Sequence, residues 1–433
     1  MTSSEGEAYV WIWLPNQAKP VVAGRLSQDN NQLIFNYGQS YLRRNDAIAI
    51  YDPELPLQEG RIDLLPGMEM PSCIRDGSPD AWGRRVIINK ATGKRQDDID
   101  MADLGELSYL LLSGSDRIGA LDFQASPETY SARDSGAAPL DELQAASELV
   151  DKGIPLTPEL DQALNHGTSI GGARPKANLM SDGRKYIAKF SGSTDTYSVV
   201  KAEYVAMKLA EEVGIEVAGV KITQVMGKDV LLIERFDRYP LPVRRAEEVS
   251  WARKSMVSGL TILGIPEMEA RYASYEMLAE RIRYKFTQPR DTLHELFKRM
   301  VFNVLVGNTD DHARNHAAFW DGRELTLVPA YDICPQARTG QEASQAMCIR
   351  GENKLSQLGN CLEAAPSFQL NKGQAMEIIS RQVGTIVEKY PKTCLDAQLS
   401  EVDQRFFWRR QFLNPFCFYD LDEPLRQQLT VDL

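Results

Sequence analysis

A polar cluster separates two apolar runs in the stretch VLVGNTDDHARNHAAFWDGRELTLVPAYDI, residues 304–333. Within it, Asp310 and Asn315 lie five residues apart, and Asp332 follows near the end. Phosphoryl transfer uses these residue types, because a carboxylate orients the attacking hydroxyl while an amide and an acid bind Mg²⁺. Asx residues also cap helices and form turns, so each residue taken alone has a simpler interpretation.

Earlier residues supply the other groups that a bound triphosphate needs. Gly167, Gly171 and Gly172 can bring backbone N–H groups to phosphate, and Lys189 lies near the end of the strand-like KYIAKF. Glu203 falls on the next predicted helix, where it can pair with Lys189. The competing interpretations are that the glycines only form a turn, that Lys189 is an ordinary strand lysine and that Glu203 is a surface acid. The order of the whole set matches protein kinases and predicts an ATP and Mg²⁺ site.

Two other chemistries compete for the same cluster. His312 and His316, four residues apart, could bind zinc together with Asp310 or Asp311 if they lay on one helix. The segment follows a helix stop and precedes a hairpin, which weakens this alternative. A Ser-His-Asp hydrolase is not supported, because the chain has no nucleophile elbow.

The elements that must position these residues can be predicted from local patterns. The apolar stripe of LHELFKRMVFNVLVGN predicts a buried helix that stops at Gly307, so the polar cluster lies on a rigidly held loop. Two residues, Asp321 and Gly322, predict a tight hairpin from whose end Asp332 emerges. Asp182 and Gly183 predict another hairpin before Lys189. A helix ending at Gly214 is predicted after it, on the spacing of Ala202, Val205, Leu209 and Val213.

Coarser patterns divide the rest of the chain. The first 125 residues read as short strands (EAYVWIWLP, KPVVAGRLS, NQLIFNYG and AIAIYDP) with one helix at DLGELSYLLLSG. LDELQAASELVDKG predicts a helix, and residues 355–433 read as mainly helical. The predicted divisions are a β-rich subdomain (1–125), a linker (126–142), the rest of an N-terminal lobe (143–240) and a helical C-terminal lobe (241–433).

Composition restricts the function classes. The 433 residues carry a net charge of −11, which argues against broad non-specific nucleic-acid binding. The Arg- and Lys-rich segment 235–256 is the best candidate for a local anion or partner surface, and a solvated loop is the alternative. The chain shows no membrane span, signal peptide or paired cysteine motif, so we expect a cytoplasmic protein with reduced thiols.

Several motifs resemble those of the HipA family, the kinase toxins of bacterial toxin–antitoxin modules. TSIGGARPKANL, YIAKF, LLIERFDR, GNTDDHARNHAAFW and VPAYDI occur here in the family's order. The N-terminal AGRLS, the stretch from PLQEG to DAWGRR, and DRIGALDF resemble the family's N-terminal subdomain. The resemblance implies an α+β, bilobal protein-kinase-like fold with an N-terminal β-rich subdomain and a mainly helical C-terminal lobe.

The resemblance also implies a role for each matching residue. Asp310 would be the catalytic carboxylate, Asn315 and Asp332 the Mg²⁺ ligands, and Ser169 an autophosphorylated serine. The expected nucleotide-binding residues are Ser169, Ile170, Gly171, Gly172, Ala173, Arg174 and Lys176 of the phosphate loop, Lys189, Glu203, Glu234, Arg235 and Phe236 of the hinge, and His312, Asn315, Tyr331 and Asp332.

The family implies partners as well as a reaction. It predicts a small DNA-binding, HipB-like antitoxin, operator DNA reached through that antitoxin, and a protein substrate such as an aminoacyl-tRNA synthetase. Two other functions stay open at this point. One is a catalytically idle co-repressor that acts with the antitoxin, and the other is a small-molecule or lipid kinase on the same fold.

Overall fold

The computed structural model describes residues 6–92, 104–133, 138–157, 160, 172–192, 195, 197–242, 250–338 and 340–429. The chain forms two compact units. The first unit comprises Met1–Thr194, Thr223–Val257 and Phe319–Arg323. The second unit comprises Asp195–Ile222, Ser258–Ala318 and Glu324–Leu433.

A four-stranded antiparallel sheet opens the first unit. Its strands are β1 (Glu7–Ile12), β2 (Val21–Asp29), β3 (Gln32–Tyr37) and β4 (Leu121–Gln124), and they lie in the order β3-β2-β1-β4. The helices of this region are α1 (Gln39–Leu42), α2 (Ser72–Arg75), α3 (Ala81–Thr92) and α4 (Glu106–Leu112). The predicted strands at β1 to β3 and the helix at α4 are therefore confirmed, whereas α3 was not predicted.

The predicted strand at AIAIYDP is wrong. Only an isolated bridge between Tyr51 and Leu55 forms there. Tyrosine hydroxyls bind the backbone instead, because Tyr41 Oη donates to the carbonyl of Ile48 at 2.8 Å. The Ile50 N–H donates to Tyr37 Oη at 2.8 Å. These bonds replace the ladder that a strand would need.

A second four-stranded sheet carries the predicted strand lysine. Helix α5 (Leu140–Asp151) precedes β5 (Lys176–Ser181), β6 (Arg184–Phe190), β7 (Val220–Val225) and β8 (Lys228–Glu234), which lie in the order β5-β6-β8-β7. Asp182 and Gly183 both have positive φ, 50° and 69°, as a two-residue hairpin turn requires. The predicted hairpin, the helix at α5 and the strand at β8 are confirmed.

Five further strands complete the sheets. They are β9 (Arg238–Pro240) and β10 (Trp251–Arg253), which form a ribbon, and β11 (Ser255–Ser258), β12 (Ala317–Trp320) and β13 (Leu325–Leu327), in the order β11-β12-β13. The predicted two-residue turn between β12 and β13 is too short, because residues 321–324 separate the strands. Asp321 Oδ1 accepts the Arg323 N–H at 2.8 Å, a local bond that supports the longer loop.

A buried ionic cluster joins distant segments of the first unit. Arg235 donates to both carboxylate oxygens of Asp237 (2.9 and 2.8 Å) and to Asn178 Oδ1 at 2.9 Å. Arg238 binds Asp116 and Asp237 at 3.0 and 2.7 Å. Because these arginines are 5% exposed or less, the interpretation of segment 235–256 as a wholly solvated loop is wrong for its described part.

The second unit is mainly helical in its described residues. Its α-helices are α6 (Val199–Glu212), α7 (Gly259–Leu263), α8 (Tyr275–Lys285), α9 (Pro289–Val306), α10 (Leu358–Ala364), α11 (Lys372–Asp396), α12 (Glu401–Phe407) and α13 (Glu423–Leu429). Short 3₁₀ helices span Glu267–Tyr272, Ala313–Asn315, Ala365–Phe368 and Pro415–Phe418. The predicted helices at α6 and α9 are confirmed, and so is the mainly helical character of residues 355–429, the described part of the predicted region 355–433.

Helix α9 has the burial that its apolar stripe predicts. Leu293, Phe297, Met300 and Leu305 are all fully buried. The helix ends at Gly307, which has φ 67° and forms a left-handed C-cap. None of the described helices is long and apolar enough to cross a lipid bilayer. The predicted domain borders at 125, 142 and 240 stay predictions.

Candidate active site

The predicted catalytic loop begins where α9 ends. The carbonyl of Gly307 accepts the N–H of Gln336 at 3.0 Å, and the carbonyl of Thr309 accepts the N–H of Ala346 at 2.9 Å. Asn308 is 1% exposed and binds Asn303 of α9 through both backbone and side chain. The loop that leads to Asp310 is thus attached to a buried helix and to the segment that follows Asp332.

Asp310 and Asn315 meet within this loop. Asn315 lies in the 3₁₀ turn Ala313–Asn315, and its Nδ2 donates to the carbonyl of Asp310 at 3.2 Å. The His312 N–H donates to the same carbonyl at 2.9 Å. Because the amide nitrogen of Asn315 is used in this way, its amide oxygen is the atom that could bind a metal ion.

The carboxylate of Asp310 is next to other negative charge. Although the residue as a whole is exposed, partial desolvation raises the pKa of its carboxyl group. Asp332 and Asp311 raise this pKa further, whereas His312 lowers it. Asp332 and Asp310 both belong to the second unit. A divalent cation held by Asp332 would offset this repulsion.

Asp332 is held in an unusual backbone conformation. Its φ is 59°, in the left-handed region that few residues other than Gly adopt and that Asp tolerates comparatively well. Just before it, Ala330 pairs with the segment 216–218, since Ala330 N–H donates to Glu216 O at 2.7 Å and Ala218 N–H donates to Ala330 O at 2.9 Å. Tyr331 Oη donates to Arg314 O at 2.6 Å. These bonds fix Asp332 relative to the loop that carries Asp310.

Sequence reasoning missed a buried hydrogen-bonded group behind Asp310. His316 Nε2 lies 2.8 Å from Asp311 Oδ2, and Tyr275 Oη of α8 donates to the same carboxylate oxygen. All three side chains are at most 4% exposed. Although burial raises the pKa of Asp311, contacts with His316 and Tyr275 outweigh it, so this pKa is lowered overall. The adjacency of two acids was the only signal in the sequence, because Tyr275 lies 36 residues from Asp311.

The residues of the second unit fit a magnesium site better than a zinc site. In the part of the chain that the structure describes, no three His, Cys, Asp or Glu side chains are arranged to hold a metal ion. The zinc alternative also loses His316, which is buried against Asp311. Mg²⁺ needs fewer protein ligands, since one or two carboxylates together with phosphate and water satisfy it. Asp332 and the amide oxygen of Asn315 could supply that part.

The first unit brings two buried lysines together. Lys176 of β5 and Lys189 of β6 are directly paired across the antiparallel ladder, and they are 5% and 8% exposed. Directly opposed residues project from the same face of the sheet, where like charges repel. This face therefore carries two positive charges close to the described end of the predicted phosphate loop. Sequence reasoning singled out Lys189 but did not predict this pairing.

The described end of the predicted phosphate loop packs tightly against Lys176. Gly172 has φ 106°, and a Cβ there would lie 1.9 Å from Lys176 Nζ. The Trp82 N–H of α3 donates to Gly172 O at 3.2 Å, and Arg85 donates to Ala173 O at 2.5 Å. Arg174 completes this turn. Ser169, Ile170 and Gly171, like Gly167, lie outside the described residues.

The remaining predicted nucleotide-binding residues occupy different positions. Glu203 is a buried residue of α6 in the second unit, at 2% exposure. Glu234 ends β8 and pairs with Arg184 at 2.7 Å. The Arg235 N–H donates to Lys185 O at 2.9 Å, so this hinge N–H already has a partner. Phe236 lies edge-on to Phe319, with ring centroids 6.0 Å apart.

Comparisons with known proteins identify a family. The family model for the HipA-like C-terminal domain matches residues 168–390, and the model for the HipA N-terminal domain matches residues 13–124. A relative from Sinorhizobium fredii, named "Putative kinase Y4mE", is 24% identical over 401 residues, which are 85% of this chain and 87% of the relative. The "Serine/threonine-protein kinase toxin HipA" of Shewanella oneidensis is 25% identical over 188 residues, covering 38% of this chain and 42% of that protein.

A solved structure extends the likeness over nearly the whole chain. It is the Shewanella oneidensis HipA in a complex with HipB and its operator DNA. The superposition has a TM-score of 0.70 at 18% identity and covers 98% of this chain and 100% of that one. At this identity the match shows the fold alone. It confirms the predicted α+β, kinase-like fold class.

Proposed function

Because the chain belongs to the HipA family, whose C-terminal domain model matches more than half of its length, we propose that it is an ATP- and Mg²⁺-dependent serine/threonine kinase. The family resemblance predicted from the sequence motifs is thereby confirmed. The reaction itself is our proposal. It transfers the γ-phosphoryl group of ATP to a hydroxyl oxygen of the acceptor and releases ADP.

The observation that supports the proposal is that Asp310, Asn315 and Asp332 lie on two hydrogen-bonded segments of the second unit. Asn315 binds the backbone of Asp310 at 3.2 Å, and the charge of Asp332 raises the pKa of Asp310. An isolated turn or helix cap does not need an acid and an amide beside a second acid. Phosphoryl transfer does need them, since one carboxylate must face the hydroxyl while the other groups hold the metal.

Each residue then has a defined task. Asp310 orients the acceptor hydroxyl and takes its proton as the oxygen attacks phosphorus. Its raised pKa makes it a better proton acceptor than an ordinary aspartate. Asp332 and Asn315 hold Mg²⁺, which supplies charge neutralisation on the phosphates when bound. Lys189 binds the α- and β-phosphates, and Lys176 on the opposed strand position adds a second positive charge.

The first experiment tests the chemistry. Purified wild-type protein incubated with labelled ATP and Mg²⁺ is expected to phosphorylate itself at Ser169, and Asp310→Ala is expected to lower the rate by roughly 100-fold or more. Asp291→Ala is the matched control, because Asp291 is an exposed aspartate in the first turn of α9 of the same unit. The control should retain the wild-type rate.

The kinase proposal has a clear alternative outcome. Wild-type protein that binds ATP by calorimetry yet never transfers phosphate to itself or to lysate proteins would overturn it. Such a result would favour the co-repressor function. Phosphate transfer to lipids or small metabolites without any phosphoprotein would favour the lipid or small-molecule kinase.

We further propose that the protein acts as a toxin with a HipB-like antitoxin. The support is that the Shewanella oneidensis HipA was solved with HipB and operator DNA. The proposed substrate is a translation component such as an aminoacyl-tRNA synthetase. Phosphoproteomics after brief expression of wild type or Asp310→Ala would name the substrate. A growth defect that both proteins cause equally would contradict a toxin that acts through phosphorylation.

A further inference from the structure

A buried cation of the second unit lacks a partner among the described residues. Arg338 is 8% exposed, and none of its three guanidinium nitrogens has a hydrogen-bonding partner there. Burial lowers its pKa, as expected for a desolvated cation. By contrast, Arg299 in the same unit is 3% exposed and binds Glu295 Oε1 at 3.1 Å and Val328 O at 3.0 Å. Of these two buried arginines, only Arg338 has no hydrogen-bonding partner among the described residues.

Other unpartnered polar atoms among the described residues belong to the loop that contains Arg409 and Gln411. Gln411 is fully buried, and neither its Nε2 nor its Oε1 has a partner among the described residues. The Nη1 of Arg409 is likewise buried and unpartnered in that part of the chain. Arg409 has φ 63°, so the backbone holds this side chain at some cost in strain.

Two observations bring these groups together. A Cβ on Gly307 would lie 2.8 Å from Gln411 O, while Gln336, two residues before Arg338, binds Gly307 O at 3.0 Å. The loops carrying Gln411 and Arg338 therefore meet at the same glycine. In addition, Arg338 and Arg409 both lower the pKa of the buried Cys417 thiol, although burial raises it overall. This shared effect is consistent with the meeting of the two loops at Gly307.

We propose that Arg338, Arg409 and Gln411 form a binding site for a small inorganic oxyanion of the phosphate class. An unpaired buried guanidinium is strongly destabilising, and an enclosed anion would offset that penalty. Arginine presents five N–H donors in a fork that matches the oxygens of phosphate, and the amide of Gln411 adds donors. Chloride offers one acceptor centre and would leave most donors unused.

Because the site is buried, we expect it to bind the free ion and not a phosphoryl group attached to a protein or lipid. The unpartnered nitrogens of Arg338 are closed to solvent, so a phosphoryl group attached to a protein or lipid has no route to them in this conformation. A free ion needs only a transient opening. It would also stabilise the segment that binds Gly307 and Thr309 just before Asp310, so the site lies next to the catalytic loop without using its residues.

The test measures thermal stability with inorganic phosphate as the probe. At equal ionic strength, phosphate at about 10 mM is expected to raise the Tm of wild type by roughly 2–4 °C over chloride. Arg338→Met is expected to lose that rise and to melt no lower than wild type in chloride, because it removes an unpaired buried charge. No rise in wild type, or a full rise in Arg338→Met, would overturn the proposal.

Two controls separate this site from other effects. Arg299→Met should lower the Tm but keep the phosphate-dependent rise, because its guanidinium already has protein partners. Lys189→Met should also keep the rise, which excludes phosphate bound at the proposed nucleotide site. If Arg338→Met does not fold, phosphate titration of wild type and Arg409→Met, followed by ³¹P NMR, replaces it. Equal phosphate affinity in these two proteins would then refute the site.

Discussion

At the residue scale, the group behind Asp310 is as informative as Asp310 itself. Asp311 is buried and accepts hydrogen bonds from Tyr275 and His316. A buried carboxylate needs such partners because an unpaired charge in the interior is costly. The neighbouring Asp310 is exposed and its pKa is raised. Two adjacent aspartates thus lie in opposite environments: Asp311 anchors the loop from the interior, and Asp310 is exposed, as the proposed catalytic role requires.

We expect His316→Phe to loosen the catalytic loop. The change removes one partner of Asp311 and should lower the free energy of unfolding by about 1–3 kcal/mol, measured with urea. Tyr275→Phe removes only the other hydrogen bond while keeping the ring, so it serves as the matched control. A double-mutant cycle should show coupling between the two sites. Strictly additive losses would contradict a shared anchoring role for these side chains.

At the element scale, the junction between α9 and the catalytic loop depends on Gly307. This residue adopts a left-handed conformation, and a Cβ there would lie only 2.8 Å from the carbonyl oxygen of Gln411. The helix can stop and the chain can turn into the loop only if this residue adopts a positive φ and has no Cβ, so glycine is needed here. The carbonyl of the same glycine binds Gln336. The end of one helix therefore positions three separate chain segments.

We predict that Gly307→Ala is more damaging than Gly214→Ala. Gly214 also has a positive φ, 81°, but a Cβ there would have Arg381 Nη2 as its nearest neighbour, at 3.9 Å. Gly214→Ala should thus cost only the backbone strain, about 1 kcal/mol. Gly307→Ala adds a backbone collision and should cost clearly more in chemical denaturation. Equal losses in the two variants would show that the close approach to the Gln411 carbonyl adds nothing to the cost in free energy of unfolding.

At the scale of the whole molecule, the first unit holds several buried charges in ion pairs. The first unit encloses Asp116, Asp237, Arg235 and Arg238 in one ionic cluster. Burial raises the pKa of Asp237, but the two arginines outweigh it and hold this pKa at about 2. Asp122 behaves in the same way beside Arg117 and Arg133, with a pKa of about 2. The stability of the first unit therefore depends on ionised carboxylates.

These buried carboxylates predict how the first unit responds to acid. A carboxyl group with a lowered folded-state pKa stabilises the fold above its unfolded value of about 3.9, and this contribution is lost as pH falls through about 2. We expect the first unit to lose stability between roughly pH 4 and 2. Tryptophan fluorescence reports on it, because every tryptophan except Trp408 belongs to that unit. The Trp408→Phe substitution removes the one tryptophan of the second unit, so the remaining fluorescence reports on the first unit alone.

Asp237→Asn tests the cause of that pH dependence. It leaves Arg235 and Arg238 with less compensation and should lower the free energy of unfolding by about 3–5 kcal/mol at neutral pH. It should also reduce the fall in the free energy of unfolding between roughly pH 4 and 2. Asp63→Asn is the control, because Asp63 forms an exposed ion pair with Arg61 and should cost less than about 1 kcal/mol. An unchanged acid slope in Asp237→Asn would contradict the prediction.

The amino-acid sequence by itself determined the features that depend on neighbouring residues. The buried stripe and glycine stop of α9, the Asp182–Gly183 turn and the order of Lys189, Asp310, Asn315 and Asp332 could all be predicted from it. Spacing along a helix or turn specifies such features locally. The family motifs added a fold that local patterns alone could not reach.

Only the tertiary structure decided which polar groups are enclosed, and with which partners. Arg235 and Arg238 looked solvated but lie in an ionic core, because their acceptors include Asp116, more than a hundred residues away. Tyr275 joined Asp311, and Lys176 faced Lys189, only once the helices and strands had packed. The reason is physical: burial and pairing of charge depend on distances in space, which sequence separation does not specify.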